Sequence, residues 1–218
     1  MSSRPAAFFD LDRTVLRVDS GISYMQFQRA RGEISAFEMA RAMWWGLQYR
    51  LAILDVIEVG NRLALEYAGQ LEIDMIHRCR VWYEAYIAPQ IAPRALRAIQ
   101  RHRDAGEEIV LLTGATQYIA HVVADALDIE HTLCTRAEVR DGAFTGRLEQ
   151  ICFGDNKVRI AEKFADERGI DLDGSMFYSD SFNDLPMLQR VGTAVAINPD
   201  TRLRRHARRA GWRVESWL

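Results

Sequence analysis

Two carboxylates follow the first apolar run of the chain. Residues 6–9 have the character of a buried strand, and Asp10 and Asp12 come directly after it. A desolvated carboxylate at a strand tip is costly unless a cation meets it, and ligands of open α/β sheets bind at this end of the strands. An Asp-x-Asp pair by itself is weak evidence, because roughly one is expected by chance in this composition. Its position after a buried strand indicates a metal or phosphate site.

Three further points along the chain carry polar residues in similar positions. Thr113-Gly114 and the pair Asp180 and Asp184 follow predicted strands, and Lys157 opens a predicted helix. Side chains at the carboxyl ends of parallel strands share one edge of the sheet, so we expect the three points that follow strands to converge there. Carboxylates offer the hard oxygen ligands that Mg²⁺ prefers, while a hydroxyl, a glycine amide and a lysine can hold phosphate oxygens. The set therefore suits phosphoryl chemistry, with one carboxylate attacking phosphorus and another handling the leaving-group proton.

The elements that position these residues alternate between helix and strand from residue 93 onward. Strands separated by helices imply right-handed crossovers and a parallel sheet. Asp141-Gly142 between alternating residues adds a hairpin signal. From residue 18 to residue 92 the pattern is helical throughout. We therefore expect an α/β fold, in which a doubly wound parallel sheet forms a core (residues 1–17 and 93–218) and an all-helical cap (residues 18–92) is inserted.

Within the cap region, Asp19 or Ser20 is a plausible N-cap for a first helix, and Gly32, Gly60 and Gly69 mark breaks. Further helical segments are predicted at 37–54 and 73–87. We expect an apolar cap interior built from large side chains. They are Met39, Met43, Trp44, Trp45, Tyr49 and Trp82.

Composition narrows the class of protein. The chain has 218 residues and a net charge of −2, which gives no reason to expect a nucleic-acid partner. Three widely spaced cysteines fit no disulfide or zinc pattern, and the first residues run straight into a strand, so we expect a cytoplasmic protein without a leader. The most apolar stretch, residues 42–54, is broken by Gln48 and Arg50, and stable membrane insertion is not expected.

The four polar points together resemble the four motifs of the haloacid dehalogenase superfamily, in the same order. They are Asp10-Leu11-Asp12-Arg13-Thr14-Val15, Thr113-Gly114, Lys157, and Ser179-Asp180-Ser181-Phe182-Asn183-Asp184. The helical insert after the first motif matches the first cap type of that superfamily. Within it, the chain is most similar to the phosphoserine-phosphatase-like branch of small-molecule phosphatases. The resemblance covers residues 5–17 and 93–218, and the cap is matched by position and helicity.

The resemblance implies a Mg²⁺-dependent phosphatase that works through an aspartyl-phosphate. Asp10 would be the nucleophile, and Asp12 would protonate the leaving oxygen and later take a proton from water. Mg²⁺ would bind Asp10, the backbone carbonyl of Asp12, and Asp180. Asp184 would ligate Mg²⁺ through water or orient the site, and Asn183 would support these ligands, although each is also explained as a helix cap or turn residue.

The resemblance also implies that Thr113, Gly114 and Lys157 hold the transferring phosphoryl group. Arg13 departs from the commonest pattern, because the superfamily often has Gly or another small residue there, and it would lie beside the nucleophile. A hydrolytic dehalogenase lacks a second aspartate, so Asp12 argues against that activity.

The substrate is less constrained than the reaction. Asp19 stands where the resembled phosphatases carry an acidic residue that meets a substrate amine, which favours phosphoserine or histidinol phosphate; capping a helix explains Asp19 equally well. The cap aromatics leave a lysophospholipid phosphate as an alternative. A phosphotransferase with the same intermediate also stays open, and the sequence predicts no oligomeric state.

Overall fold

The computed structural model describes residues 4–41, 44 and 56–218. In these residues seven strands form one sheet, in the order β4-β3-β2-β1-β5-β6-β7. The neighbouring pairs are parallel except for β3 and β4, which form an antiparallel hairpin. The strands are β1 (Ala6–Phe9), β2 (Glu108–Thr116), β3 (His131–Arg140), β4 (Ala143–Gln150), β5 (Met176–Ser179), β6 (Thr193–Ile197) and β7 (Arg213–Glu215).

Helices cover both faces of this sheet and make up the described part of the insert. In the insert they are α1 (Ser20–Ala30), α2 (Val56–Glu66) and α3 (Glu72–Trp82), with a further helical stretch at residues 36–41. In the rest of the chain they are α4 (Pro93–Asp104), α5 (Gln117–Ala126), α6 (Asp155–Arg168), α7 (Leu185–Arg190) and α8 (Thr201–Ala210). The predicted α/β fold with a mostly parallel sheet is confirmed.

Strand β1 lies at the centre of the sheet, between β2 and β5. Its residues alternate between two apolar cores: Ala7 and Phe9 belong to one, and Ala6 and Phe8 to the other. The strand order runs outward in both directions from β1, so the crevice beyond its carboxyl end is the switch point where α/β sheets bind ligands. Asp10, the residue that follows β1, lies at that crevice.

The chain enters and leaves the insert side by side. Leu16 and Ile91 form an antiparallel bridge, and the Ala92 amide donates to the Val15 carbonyl at 2.9 Å. These contacts lie at the predicted boundaries, but the division into a core and a cap stays a prediction. Helices α1 and α3 contribute Phe27 and Trp82 to the same apolar core as β1.

The insert rests on the β3–β4 hairpin. Its turn residues, Asp141 and Gly142, both have positive φ (51° and 76°), as the Asp-Gly signal predicts. The Gly69 amide donates to the Phe144 carbonyl at 2.8 Å, and the Phe144 amide donates to the Gln70 carbonyl at 2.9 Å. Backbone pairing of this kind holds the end of α2 and the start of α3 against the sheet.

Two predictions about the insert are wrong. Gly60 does not break a helix but lies inside α2, where a Cβ would come within 3.3 Å of Leu148 Cδ1 on β4. The absent side chain allows the helix to approach the hairpin closely. Trp44 is 58% exposed and does not belong to an apolar cap interior, whereas Trp82, at 3%, does.

The predicted segment at 37–54 falls largely outside the described residues. So do Met43, Trp45, Gln48, Tyr49 and Arg50, and what was expected of them stays a prediction. In the part of the chain that the structure describes, no helix combines the length and the apolar character that crossing a bilayer requires. The three cysteines are buried and unbridged.

Candidate active site

A buried lysine joins two of the predicted carboxylates. Lys157 Nζ, on the first turn of α6, lies 3.0 Å from Asp10 Oδ1 and 2.7 Å from Asp184 Oδ1. Ser179 Oγ donates to the other oxygen of Asp184 at 2.6 Å. Asp184 precedes α7, yet its side chain makes no capping bond, so the interpretation of this carboxylate as a simple helix cap is wrong. Three distant motifs thus meet in one contact network.

Burial and like charge raise the pKa of the carboxyls at this edge. Burial raises the pKa of Asp10 to about 7, with Lys157 opposing the shift and Asp184 adding to it. The pKa of Asp180 lies well above its usual range, chiefly because of burial and then because of repulsion from Asp10 and Asp184. Burial alone would lower the pKa of Lys157, but Asp10 and Asp184 outweigh it and raise that pKa. The lysine therefore stays charged.

Asp12 is held by the start of helix α1. Its Oδ1 accepts a hydrogen bond from the Ser20 amide at 2.9 Å, and its Oδ2 accepts one from Ser20 Oγ at 3.0 Å. Burial and then the charges of Asp19 and Asp10 place its pKa well above the usual range, against the lowering effect of these bonds. A carboxyl with a raised pKa is suited to deliver a proton near neutral pH.

Asp19 caps helix α1. Its Oδ1 accepts from the Ile22 amide at 2.9 Å, which confirms the predicted N-cap. Its charge also raises the pKa of Asp12, so the two carboxylates are electrostatic neighbours. Capping and a role toward a substrate are therefore compatible at this residue.

Arg13 adopts the left-handed conformation, with φ 56°. This region favours glycine, and it costs other residues roughly 1 kcal/mol. Two bonds fix the turn: the Arg13 amide donates to the Val18 carbonyl at 3.1 Å, and Asn198 Nδ2 donates to the Arg13 carbonyl at 2.7 Å. The Arg13 guanidinium Nε lies 3.2 Å from Asp180 Oδ2, so this side chain faces a carboxylate of the site.

Thr113 and Gly114 lie in an irregular part of β2, where its register with β3 shifts. The Thr113 side chain is 2% exposed, and its Oγ1 accepts from the Ala115 amide at 3.1 Å. Thr135 Oγ1 donates to the Gly114 carbonyl at 2.8 Å and accepts from the Cys152 amide at 3.1 Å. Irregular strand segments of this kind are common next to functional sites. The hydrogen bonds of Thr135 fix the backbone at Gly114.

The loop after β5 is fixed by hydrogen bonds within the loop and to Asp200. Ser181 Oγ accepts from the Asn183 amide at 3.2 Å, and the Asp180 carbonyl accepts from the Asp200 amide at 2.9 Å. Asn183 thus lies in a 3₁₀ turn (Phe182–Asp184) next to the site. This arrangement gives Asp180 a defined backbone position at the carboxyl end of β5.

The donor set fits Mg²⁺. Among the residues that the structure describes, no three His, Cys, Asp or Glu side chains are grouped so as to hold a metal by themselves. Mg²⁺ does not need such a cage, because it binds one or two carboxylates and completes its shell with waters and phosphate. Burial is the main cause of the raised pKa values of Asp10, Asp12 and Asp180, and repulsion from neighbouring carboxylates adds to it; a divalent cation would relieve that repulsion.

Three supporting residues were not assigned a role from the sequence. Ser20 was noted as a helix cap, and Ser179 was quoted within a motif, but their bonds to Asp12 and Asp184 were not foreseen. Thr135 gave no signal, because its contact with Gly114 spans 21 positions. Ser179 directly precedes Asp180, which is a sequence signal for that residue, whereas the bonds of Ser20 and Thr135 depend on tertiary structure.

Known proteins resemble the chain along nearly its whole length. A family model described as haloacid dehalogenase-like hydrolase matches residues 7–189. A Mycobacterium tuberculosis protein named phosphoserine phosphatase SerB1 is 34% identical over 217 residues, which cover 97% of this chain and 70% of that protein. A Neisseria meningitidis histidinol-phosphatase is 29% identical over 214 residues, covering 95% and 96%. The chain belongs to the haloacid dehalogenase-like hydrolase family.

Solved structures agree with this assignment. A Bordetella pertussis protein of unknown function matches over the full length of both chains, with a TM-score of 0.89 and 28% identity. A phosphoserine phosphatase structure with a phospho-aspartyl intermediate analogue shares the fold, with a TM-score of 0.74 and 16% identity over 100% of this chain and 95% of that one. Family, relatives and fold together identify an enzyme, a phosphatase of the haloacid dehalogenase type.

Proposed function

We propose that this phosphatase hydrolyses a small, amine-bearing phosphomonoester through an aspartyl-phosphate on Asp10, with Mg²⁺ as cofactor. The observation that carries the proposal is Lys157 Nζ, which lies within 3.0 Å of carboxylate oxygens of both Asp10 and Asp184 at the switch point of the sheet. A buried ammonium group beside a carboxylate opposes the effect of burial and favours the ionised form that a nucleophile requires.

The transfer proceeds in two steps. An Asp10 oxygen attacks phosphorus while the bond from phosphorus to the leaving oxygen breaks, and Asp12 gives its proton to that oxygen. Asp12 then takes a proton from a water that attacks the phosphorus of the acyl-phosphate, which releases phosphate and restores Asp10. Thr113, the Gly114 amide and Lys157 hold the phosphoryl oxygens during both steps.

The cofactor would be held by Asp10, the Asp12 carbonyl and Asp180, with Asp184 and Asn183 supporting them. When bound, Mg²⁺ neutralises phosphoryl charge as the transition state forms. Arg13 Nε lies 3.2 Å from Asp180 Oδ2 and limits the orientations of that carboxylate.

Substrate recognition is assigned to Asp19. Its Oδ1 caps helix α1, so Oδ2 can accept a hydrogen bond from a substrate ammonium group. The names of two relatives, phosphoserine phosphatase and histidinol-phosphatase, point to substrates that carry both an amine and a phosphate ester. Trp44 is exposed and Trp82 is packed in the core, so neither supports the alternative of a lysophospholipid phosphate.

The test is phosphate release from a panel of phosphomonoesters with Mg²⁺, comparing the wild type with Asp10→Asn. The panel holds phosphoserine, histidinol phosphate, phosphocholine, lysophosphatidate and sugar phosphates. We expect an amine-bearing ester to be preferred and Asp10→Asn to lose activity. Equal activity of the two proteins would refute the nucleophile. Added acceptor alcohols that divert phosphate into new esters would identify a phosphotransferase.

Asp19→Asn separates recognition from capping, because asparagine caps helices about as well as aspartate. We expect its KM for the amine-bearing substrate to rise at least about tenfold, from the lost charge-assisted bond. Its KM for a sugar phosphate should stay the same. Parallel changes for both substrates would remove Asp19 from recognition.

A further inference from the structure

Ser20, which hydrogen-bonds to the proposed catalytic acid Asp12, belongs to the insert. Ser20 is the first residue of α1 and is 4% exposed, and it donates one hydrogen bond to each carboxylate oxygen of Asp12. One donor is the backbone amide and the other is the side-chain hydroxyl. A carboxylate held through both oxygens cannot rotate without breaking a bond, so its direction is set by the position of α1.

Helix α1 is in turn fixed by the rest of the insert. Ser23 Oγ, one turn along α1, accepts from Trp82 Nε1 of α3 at 3.1 Å, and both side chains are buried. The Tyr24 ring packs edge-on against Trp82, with ring centroids 5.0 Å apart. The contacts run without a gap from α3 through α1 to the carboxylate of Asp12.

We propose that Ser20 is a positioning residue, which aims the Asp12 carboxyl at the leaving oxygen and thereby ties proton delivery to the packing of the insert. The inference rests on the proposed function, in which Asp12 donates the proton as the bond from phosphorus to the leaving oxygen breaks. In this role Ser20 acts through Asp12, to which it donates both bonds, and not on phosphorus or the leaving oxygen. Its hydroxyl fixes one oxygen of Asp12 and leaves the phosphoryl-binding groups Thr113 and Lys157 untouched.

Substrates with different leaving groups can distinguish a role of Ser20 in proton delivery from a general structural role. An alkyl phosphate such as phosphoserine expels a poor leaving group and needs the proton, whereas p-nitrophenyl phosphate expels a stable phenolate and does not. A misaimed Asp12 should therefore slow the first substrate and spare the second. Release of the alcohol in a single turnover reports this step apart from the later hydrolysis of the intermediate.

The experiment measures single-turnover alcohol release from both substrates with Mg²⁺, for the wild type, Ser20→Ala and Ser20→Thr. We expect Ser20→Ala to slow release from phosphoserine roughly ten- to hundredfold, the range for losing one hydrogen bond to a charged group. Release of p-nitrophenol should change less than about threefold, and KM for phosphoserine should stay near the wild-type value. Ser20→Thr keeps the hydroxyl and should restore most of the phosphoserine rate.

Ser35→Ala is the matched control. Ser35 also starts a helical stretch, where its Oγ accepts from the Glu38 amide at 3.2 Å, and it is exposed. Its loss should leave both rates unchanged.

Equal slowing of both substrates by Ser20→Ala, no slowing of either, or a Ser20→Thr variant as selective as Ser20→Ala would each overturn the inference. These outcomes leave the proposed function standing. Undiminished turnover by Asp10→Asn would instead refute the proposed function itself.

Discussion

The strand-end site and the insert above it are built by different means. At the site, buried charges and hydroxyls meet at short distances, as in the contacts of Lys157 with Asp10 and Asp184. The described part of the insert packs through helices and backbone pairing on a hairpin, and it leaves large apolar side chains such as Phe37, Leu65 and Ile73 exposed. The comparison teaches that chemistry restricts residue types at the site and at Asp19 and Ser20, where the insert meets it, whereas the rest of the described insert needs only compatible shapes.

Replacing Lys157 should have the largest effect. Lys157→Met leaves Asp10 and Asp184 buried without their cation, which should destabilise the fold by about 3 kcal/mol and reduce turnover at least about a thousandfold. The matched control is Lys163→Met on the same helix, whose side chain is 80% exposed and pairs with Glu167 at 3.9 Å. It should change stability by less than about 0.5 kcal/mol.

Urea unfolding and phosphate release measure both variants. Similar losses of stability and turnover in Lys157→Met and Lys163→Met would contradict the account, because the charge of Lys157 would then matter no more than that of an exposed lysine on the same helix.

The buried carboxyl of Asp10 should make stability depend on pH. Its pKa rises from 3.8 to about 7 on folding, so below about pH 4 the group is protonated in both states. Between pH 4 and pH 7 the unfolded chain loses this proton while the folded chain keeps it, and stability falls as pH rises. Asp10→Asn lacks this titration. Its free energy of unfolding, relative to wild type, should rise across that range by an amount on the order of a few kcal/mol.

The measurement is urea unfolding without Mg²⁺ at pH 4, 5.5 and 7. A constant difference between wild type and Asp10→Asn would show that the carboxyl is not desolvated in the folded chain.

Replacing glycines of the β3–β4 hairpin with alanine should have a smaller effect on stability. The comparison of two such variants tests the contact between the hairpin and the insert. Gly146 and Gly142 both have positive φ, so alanine strains each. A Cβ on Gly146 would lie 3.0 Å from Ala68 Cβ, whereas a Cβ on Gly142 meets nothing within 4 Å. We expect Gly146→Ala to cost about 1 kcal/mol more than Gly142→Ala in thermal unfolding. Equal costs would show that the insert yields freely at this point.

The site was the more predictable of the two regions. Asp10 and Asp184 could be placed together from sequence, because the carboxyl ends of parallel strands converge whatever their packing. Lys157, at the start of a helix, was placed with them by its position in the series of four motifs. The Asp141-Gly142 turn was equally clear, since few residues tolerate positive φ at two successive positions.

The insert and the sheet edge were less predictable. Gly60 looks like a helix breaker until its contact with Leu148 is known, and β7 is a three-residue strand whose pairing with β6 depends on tertiary structure. Ser20 has the sequence of an ordinary helix start. Its bond to Asp12 follows from how α1 meets the core, which local propensity does not encode.

The most direct test of the account is to trap the covalent intermediate. Enzyme mixed with its preferred phosphomonoester and Mg²⁺ is quenched in acid during turnover and reduced with borohydride, which converts an aspartyl-phosphate to homoserine. Peptide mass spectrometry then locates the converted residue. The account predicts homoserine at position 10, with Asp12 intact and no conversion in Asp10→Asn. Conversion at another carboxylate, or rapid turnover with none at position 10, would contradict it.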